Sequence, residues 1–278
     1  MPRDQRASRD TILAHNARAW DRLAVAEAAL ARPAADAAFS DPRGWLGGGG
    51  PDGRPWIPAR LDGLEVLCLA AGGGKHGPLY AAAGGRVTVV DLSPAMLELD
   101  RAVARERKLD LAIVQGSMDD LSMFAAGRFD LVIHPVSTCY LPEVSRVFLE
   151  VARVTRAGGT YVSQHKSPAS LQATRDLGAS GHYEVVHPQA DGVALPSEPP
   201  SRLREPGTQE FVHSLTVILG GICRAGFHVE DVFEPDHAEP DAAAGSFADR
   251  AAFLPPYIRV LARRSRGGQS GAGLVLVK

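Results

Sequence analysis

The sequence predicts an α/β fold: a doubly wound, mainly parallel seven-stranded sheet with an antiparallel closing strand. Three observations predict it. From Leu64 onward, short apolar runs alternate with stretches of helical periodicity, the order of a parallel sheet with right-handed crossovers. The junction Val66–Asp91 reads VLCLAAGGGKHGPLYAAAGGRVTVVD, which is a strand, a glycine-rich turn, a small-residue helix and a second strand ending in a carboxylate. The last two strands have no helix of convincing length between them, which indicates an antiparallel hairpin at the sheet edge.

Each element has a local reason. Residues 8–31 read as a helix, with Ile12, Ala19, Trp20, Leu23, Ala26 and Leu30 near one face. Residues 32–60 are rich in Pro and Gly and read as a loop or hinge. Val66–Ala70 and Val87–Val90 are apolar runs suited to a sheet covered on both faces. Ser93-Pro94 supplies an N-cap and a first-turn proline for a helix carrying Met96, Leu99 and Val103. Leu111–Val114 and Phe129–Ile133 are the third and fourth strands. Val144, Val147, Phe148, Val151 and Ala152 then mark an amphipathic helix, stopped by Ala157-Gly158-Gly159. Thr160–Ser163 is a fifth strand. Residues 169–209 are polar and proline-rich, with weak strand character at Tyr183–Val186, and read as a cap. A helix over 209–225 ends at Gly226, although Gly220-Gly221 weakens its last turns. Phe227–Phe233 and Tyr257–Ala262 complete the sheet. The domain reading is an N-terminal helical lid and hinge (1–60), one main domain (61–264) with the cap inserted at 169–209, and a flexible tail (265–278) with an apolar patch at Leu274–Val277.

Composition narrows the function classes. The 278 residues have a formal net charge of −2 and 22% charged side chains, with no basic excess for a nucleic-acid partner. Only four of the 30 basic residues are Lys (Lys75, Lys108, Lys166, Lys278), and with the many Ala residues this suggests a GC-rich bacterial genome. No apolar run approaches the roughly 20 residues needed to span a bilayer. MPRDQRASRD lacks the apolar segment of a secretory signal. Cys68, Cys139 and Cys223 have no metal-type spacing and read as buried free thiols in a reducing cytosol. The expectation is a cytoplasmic monomer or homodimer, with no metal site, no membrane segment and a small-molecule partner.

The glycine turn carries the chemistry. Gly72-Gly73-Gly74-Lys75-His76-Gly77 satisfies G-x-G-x-x-G, in which glycines let backbone approach a ligand and the acid at the next strand's end meets a ribose. By itself this fits a dinucleotide, and hence an NAD(P)-dependent oxidoreductase, as well as it fits a methyl donor.

Five segments in order, VLCLAAGGG (66–74), VTVVDLSPAML (87–97), VQGSMDDL (114–121), FDLVIHPVSTCYLPEV (129–144) and VTRAGGTYV (154–162), resemble the class I S-adenosylmethionine (SAM)-dependent methyltransferases of the small-molecule, Rossmann-like branch. The resemblance is strong over 64–168 and looser over 209–264. It implies SAM as methyl donor and S-adenosylhomocysteine (SAH) as product. Ala71, Gly72, Gly73 and Gly74 would form the turn, Asp91 with Leu92 the ribose site, and Ser117 and Met118 the adenine site. Asp is usual where Ser117 stands, with Asp119 as its substitute. His134 and Pro135 would lie near the sulfonium. Two departures are Cys68, where an acid is usual, and Ala70, where glycine is usual. Lys75 and His76 are candidates for the methionine carboxylate, lying where a helix begins and anions are favoured. His15–Asp21 resembles the segment that folds over the donor, so Trp20 is a candidate for packing on its methionine end.

Transfer from a sulfonium needs alignment and water exclusion; a hydroxyl acceptor also benefits from a base. His134 and His165 follow the fourth and fifth strands, at the edge where parallel sheets bind ligands, and His213 begins the last helix. They are the candidate catalytic residues, with Tyr140, Tyr183 and Arg204 as candidate acceptor contacts. His182, His187, His228 and His237 read as surface residues. The reading is methyl transfer to an O or N atom of a small molecule, in secondary metabolism. The alternatives are the oxidoreductase and a non-catalytic SAM-binding or interaction protein.

Overall fold

The computed structural model describes residues 8–47, 49–199 and 201–266. The chain opens with α1 (Arg9–Val25), followed by two short helices, α2 (Asp36–Ser40) and α3 (Pro42–Leu46). Next come β1 (Glu65–Leu69), α4 (His76–Ala82), β2 (Arg86–Asp91), α5 (Pro94–Arg107), β3 (Leu111–Gln115), β4 (Phe129–His134), α6 (Ser145–Val154) and β5 (Thr155–Lys166). The cap begins with α7 (Pro168–Gln172), and α8 (Leu215–Arg224), β6 (Phe227–Phe233), α9 (Phe247–Phe253) and β7 (Tyr257–Arg264) complete the described fold. The seven strands form one sheet in the order β3-β2-β1-β4-β5-β7-β6. β1 pairs in parallel with β2 and β4, and β7 is antiparallel to both β5 and β6. The chain winds outward from β1 on one side and from β4 on the other, so a crevice opens at the C-terminal ends of these two strands.

The apolar runs of the central strands are explained by burial on both faces. Along β1, Leu67 and Leu69 pack into the core that holds Phe148, Val151, Tyr161 and Ile218. Val66 and Cys68 point the other way, to Tyr80, Val89, Leu97 and Ile133.

Several expectations change. The first helix ends at Val25 instead of residue 31, because Glu27 takes a left-handed φ of +50° before a short 3-10 turn at Ala29–Ala31. The expected loop at 32–60 contains α2 and α3 and sends Trp56 and Ile57 into the interior. α6 stops at Val154, and Gly158 (φ +78°) lies inside β5, where the register to β4 shifts. That glycine serves a bulge in the strand, not a helix end. α8 begins at Leu215, capped by the Ser214 hydroxyl accepting the Val217 N–H, while Phe211 lies in an extended segment bridged to Ala194. α9 intervenes between β6 and β7. Tyr183–Val186 makes a single bridge, Val185 to Ala173. Cys223 is exposed, whereas Cys68 and Cys139 are buried. No helix among the described residues is long and apolar enough to cross a membrane. Leu274–Val277 lies outside the described residues.

The cap is pinned by Arg250 of α9, which is buried and has no carboxylate partner among the described residues. Its guanidinium donates to the Thr174 and Ser170 carbonyls at 2.9 and 2.7 Å and to the Ser170 hydroxyl at 2.7 Å. α8 continues through Gly220-Gly221 because it packs closely on α6: a Cβ at Gly221 would stand 2.7 Å from the Phe148 ring. At Gly220 the nearest atoms a Cβ would meet belong to the far end of the exposed Arg224 side chain, which can shift. Gly220→Ala is therefore expected to stabilise the fold by about 0.5–1 kcal/mol through helix propensity. Gly221→Ala should destabilise it, because overpacking costs about 1–3 kcal/mol. Denaturant unfolding of the two variants checks the opposite signs.

Candidate active site

The crevice is a cavity of about 370 Å³ that runs from β2 across the glycine turn to the cap. Asp91, at the end of β2, forms one end. Its Oδ2 accepts the Gly72 N–H at 2.9 Å and its Oδ1 the Ser93 N–H at 2.9 Å. Each oxygen keeps a further acceptor site. Burial raises its pKa, against the pull of those backbone N–H groups. Gly72 must be glycine here, since a Cβ would come within 3.0 Å of Asp91 Oδ2 and 2.9 Å of Met96 Cβ.

Ala71, Gly72, Leu92, Ser117, Met118, Pro135 and Trp20 also line the cavity. Gly73 and Gly74 do not. They shape the turn from behind, with φ values of +110° and +71°. Ala70 lines the cavity in the left-handed region at φ +47°, where a side chain costs about 1–2 kcal/mol relative to glycine. Lys75 faces the cavity but donates to the Leu30 carbonyl at 3.0 Å, which ties the turn to the segment after α1. His76 lines the cavity with its pKa lowered to about 4 by burial and the nearby Lys75 and Arg259 cations.

Helix α1 roofs the cavity. Its Asn16 amide donates to the Tyr140 and Gln209 carbonyls at 3.0 Å each, and Asp21 accepts from the Ser93 hydroxyl at 2.6 Å and the Ala95 N–H at 3.1 Å. Asp119, expected at the adenine, is instead clamped by Arg9, with both oxygens taken at 2.6 Å, and also accepts from Ser117. It latches the roof and does not line the cavity.

None of the three candidate catalytic histidines lines the cavity. His134, expected also near the sulfonium, has Nδ1 against the Tyr161 hydroxyl at 2.8 Å and Nε2 against the Ser137 hydroxyl at 2.7 Å. His165 sits between Thr138 and Ser163. His213, one residue before the cap of α8, directs Nε2 to the Leu141 carbonyl at 2.8 Å. Burial lowers all three pKa values, that of His134 to about 3. These rings form a neutral polar layer under the cavity floor, and Ser137 is the member that reaches the cavity. Tyr140 lines the cavity; Tyr183 lies on a separate surface pocket, and Arg204 donates to the Pro196 carbonyl at 2.7 Å.

Sequence reasoning missed Ser137, Gln164, Glu205 and Tyr257 along the cavity, and Asp100 beneath it. Asp100 is buried on α5, beside Cys68. Its Oδ2 accepts the Gly73 N–H at 2.8 Å, and its Oδ1 has no partner among the described residues. A signal existed: Asp100 falls on the apolar face, four residues after Met96 and three before Val103. Burial, with the Asp91 charge, raises its pKa to about 7 against the turn's N–H groups.

Fold and site together define an α/β protein whose crevice at the C-terminal ends of β1 and β4 has the form of a nucleoside-type pocket. A family model described as a methyltransferase domain matches residues 67–163. The uncharacterized methyltransferase YbaJ of Bacillus subtilis is 39% identical over 184 residues, covering 65% of this chain and 72% of YbaJ. The chain belongs to the class I SAM-dependent methyltransferases, which decides between the methyl donor and the hydride carrier left open by the glycine turn. A ubiquinone biosynthesis O-methyltransferase of Xanthomonas oryzae is 30% identical over 37% of this chain and 44% of its own length. The crystal structure of a SAM-dependent methyltransferase from Mesorhizobium loti shares the fold at a TM-score of 0.58 and 24% identity, over 75% of this chain and 94% of that one.

Asp100 makes stability pH-dependent. The folded chain holds its proton up to about pH 7, whereas an unfolded aspartate releases it near 3.8, so stability falls as pH rises through that window. Asp100→Asn is expected to gain on the parent chain between pH 4 and pH 8 by up to about 4 kcal/mol. Denaturant unfolding at both pH values measures it; a gap that does not change with pH contradicts the assignment.

Proposed function

We propose that this chain transfers the methyl of SAM to an O or N atom of a small molecule held at the cap end of the cavity. The observation that carries the reading is the continuity of one cavity from Asp91, past the glycine turn, to Tyr140, Gln164, Glu205 and Tyr257. The residues present fit the donor. Asp91 keeps acceptor sites for a ribose diol, Ser117 and Met118 lie beyond it for adenine, and the glycine turn admits the methionine end without side-chain obstruction. The donor supplies an activated methyl group on a sulfonium.

This chain's own residues would position and shield. Asp91 orients the ribose; α1, latched by Arg9, Asn16 and Asp21, closes the cavity over the ligand and excludes water. Positioning of this kind is worth about 7–11 kcal/mol. The modest net charge and a cavity of only about 370 Å³ favour a small acceptor over a nucleic acid. The O-methyltransferase relative favours oxygen as the methylated atom.

Calorimetry with SAH and with NAD(H) tests the reading. SAH is expected to bind and NAD(H) not to; the reverse would sink it. Asp91→Ala should weaken SAH by at least about 100-fold, since two hydrogen bonds to a carboxylate are lost. An unchanged affinity would remove Asp91 from the ribose site.

A further inference from the structure

The cap end of the cavity carries a buried charge cluster that donor binding does not explain. Glu205 reaches the cavity from the cap. Its Oε2 accepts from the Lys166 ammonium at 2.6 Å and from the Tyr140 hydroxyl at 2.7 Å. Both of these side-chain donors fall on Oε2, so Oε1 is the oxygen of this cavity-lining carboxylate that neither Lys166 nor Tyr140 occupies. Burial works against the Glu205 charge, but the Lys166 cation and the Tyr140 hydroxyl outweigh it and keep the carboxyl ionised. Lys166 also donates to Glu210 Oε2 at 3.0 Å.

A carboxylate at the acceptor's place selects among nucleophiles. An acidic acceptor is repelled. An amine is held protonated beside it, without the lone pair that methylation requires. A neutral hydroxyl avoids both penalties and gains a charge-assisted hydrogen bond. Trp20, Tyr140 and Tyr257 line the same cavity, and the Trp20 and Tyr140 rings pack edge to face with centroids 5.8 Å apart. Such walls suit a flat ring.

We propose that Glu205 is a catalytic residue that receives the acceptor's hydroxyl, and that the acceptor is a phenol. The inference rests on the methyltransferase reading above. The phenol oxygen bonds to the methyl carbon, the carbon–sulfur bond breaks with its electron pair left on sulfur, and the hydroxyl proton passes to Glu205 Oε1. Lys166 keeps Glu210 as its counter-charge once Glu205 is neutral, so proton transfer strands no buried cation.

The test uses the full chain saturated with SAH, titrated with catechol, benzylamine and benzoate by calorimetry. Catechol is expected to bind more tightly than benzoate and, with SAM in place of SAH, to be methylated, whereas benzylamine, which the carboxylate holds as its cation, is not methylated. Glu205→Gln should weaken catechol at least about ten-fold, the loss of one hydrogen bond to a charged group, with SAH affinity unchanged. If Glu205→Gln unfolds the cap, seen as a lowered melting temperature or lost SAH binding, Glu205→Asp is read in its place. That variant keeps the charge but withdraws it by one methylene, and it should also weaken catechol. Absent SAH binding overturns the donor reading and this inference with it. SAH binding without catechol binding overturns the inference alone, as does benzoate binding at least as tightly as catechol, or methylation of benzylamine but not of catechol. Catechol affinity unchanged in the folded variant also overturns it.

Discussion

The contact on which the site depends is the double acceptance by Asp91, one oxygen on the Gly72 N–H and the other on the Ser93 N–H. It joins the turn after β1 to the start of α5 through the end of β2. Asp91 and Ser93 are near neighbours in sequence but Gly72 is 19 residues away, and all three are thereby set at fixed distances around one carboxylate. The same contact explains why position 72 admits no side chain. It also leaves Asp91 partly satisfied, so its desolvation is tolerable while acceptor sites remain for a ligand.

Two of the places in which the chain buries charge near the cavity are handled differently. Asp100 stands under the turn with one oxygen unpartnered, and its environment favours the proton over the charge. The cluster at the cap end is closed by pairing: Lys166 lies between Glu205 and Glu210, and Tyr140 adds a donor. In the cluster, burial is outweighed at Glu205 by Lys166 and Tyr140 but raises the Glu210 pKa, whereas the unpaired Asp100 is pushed up to about 7. The histidines show a third outcome, neutral rings whose nitrogens bond to hydroxyls and carbonyls in the floor.

Legibility followed the range of the interactions. β1, β2 and the turn between them were readable because strand burial, glycine conformation and the terminal acid are all local properties of one 26-residue stretch (66–91). Asp91 belongs to that stretch. The helix ends were less readable, because Gly158 and Gly220-Gly221 carry the same local signal for different tertiary reasons, a strand bulge in one case and close packing on Phe148 in the other. Asp100 was visible in principle as an acid on an apolar helix face. Glu205 was not, since it comes from an irregular, proline-rich segment with no periodicity to mark an inward side.

The sequence alone determined the sheet, its winding and the glycine–Asp91 half of the cavity, because hydrophobic period and glycine content report on backbone within a few residues. Tertiary structure decided what the other half contains. His134, His165 and His213 stand at ligand-binding positions along the chain, yet packing turns their rings into the floor. Glu205 and Tyr257 are remote from the motifs, yet the cap and β7 bring them to the cavity, and Gln164 reaches it from the end of β5. The direction in which a side chain points at the end of a strand, and which distant loop folds over it, is set by contacts across the whole molecule.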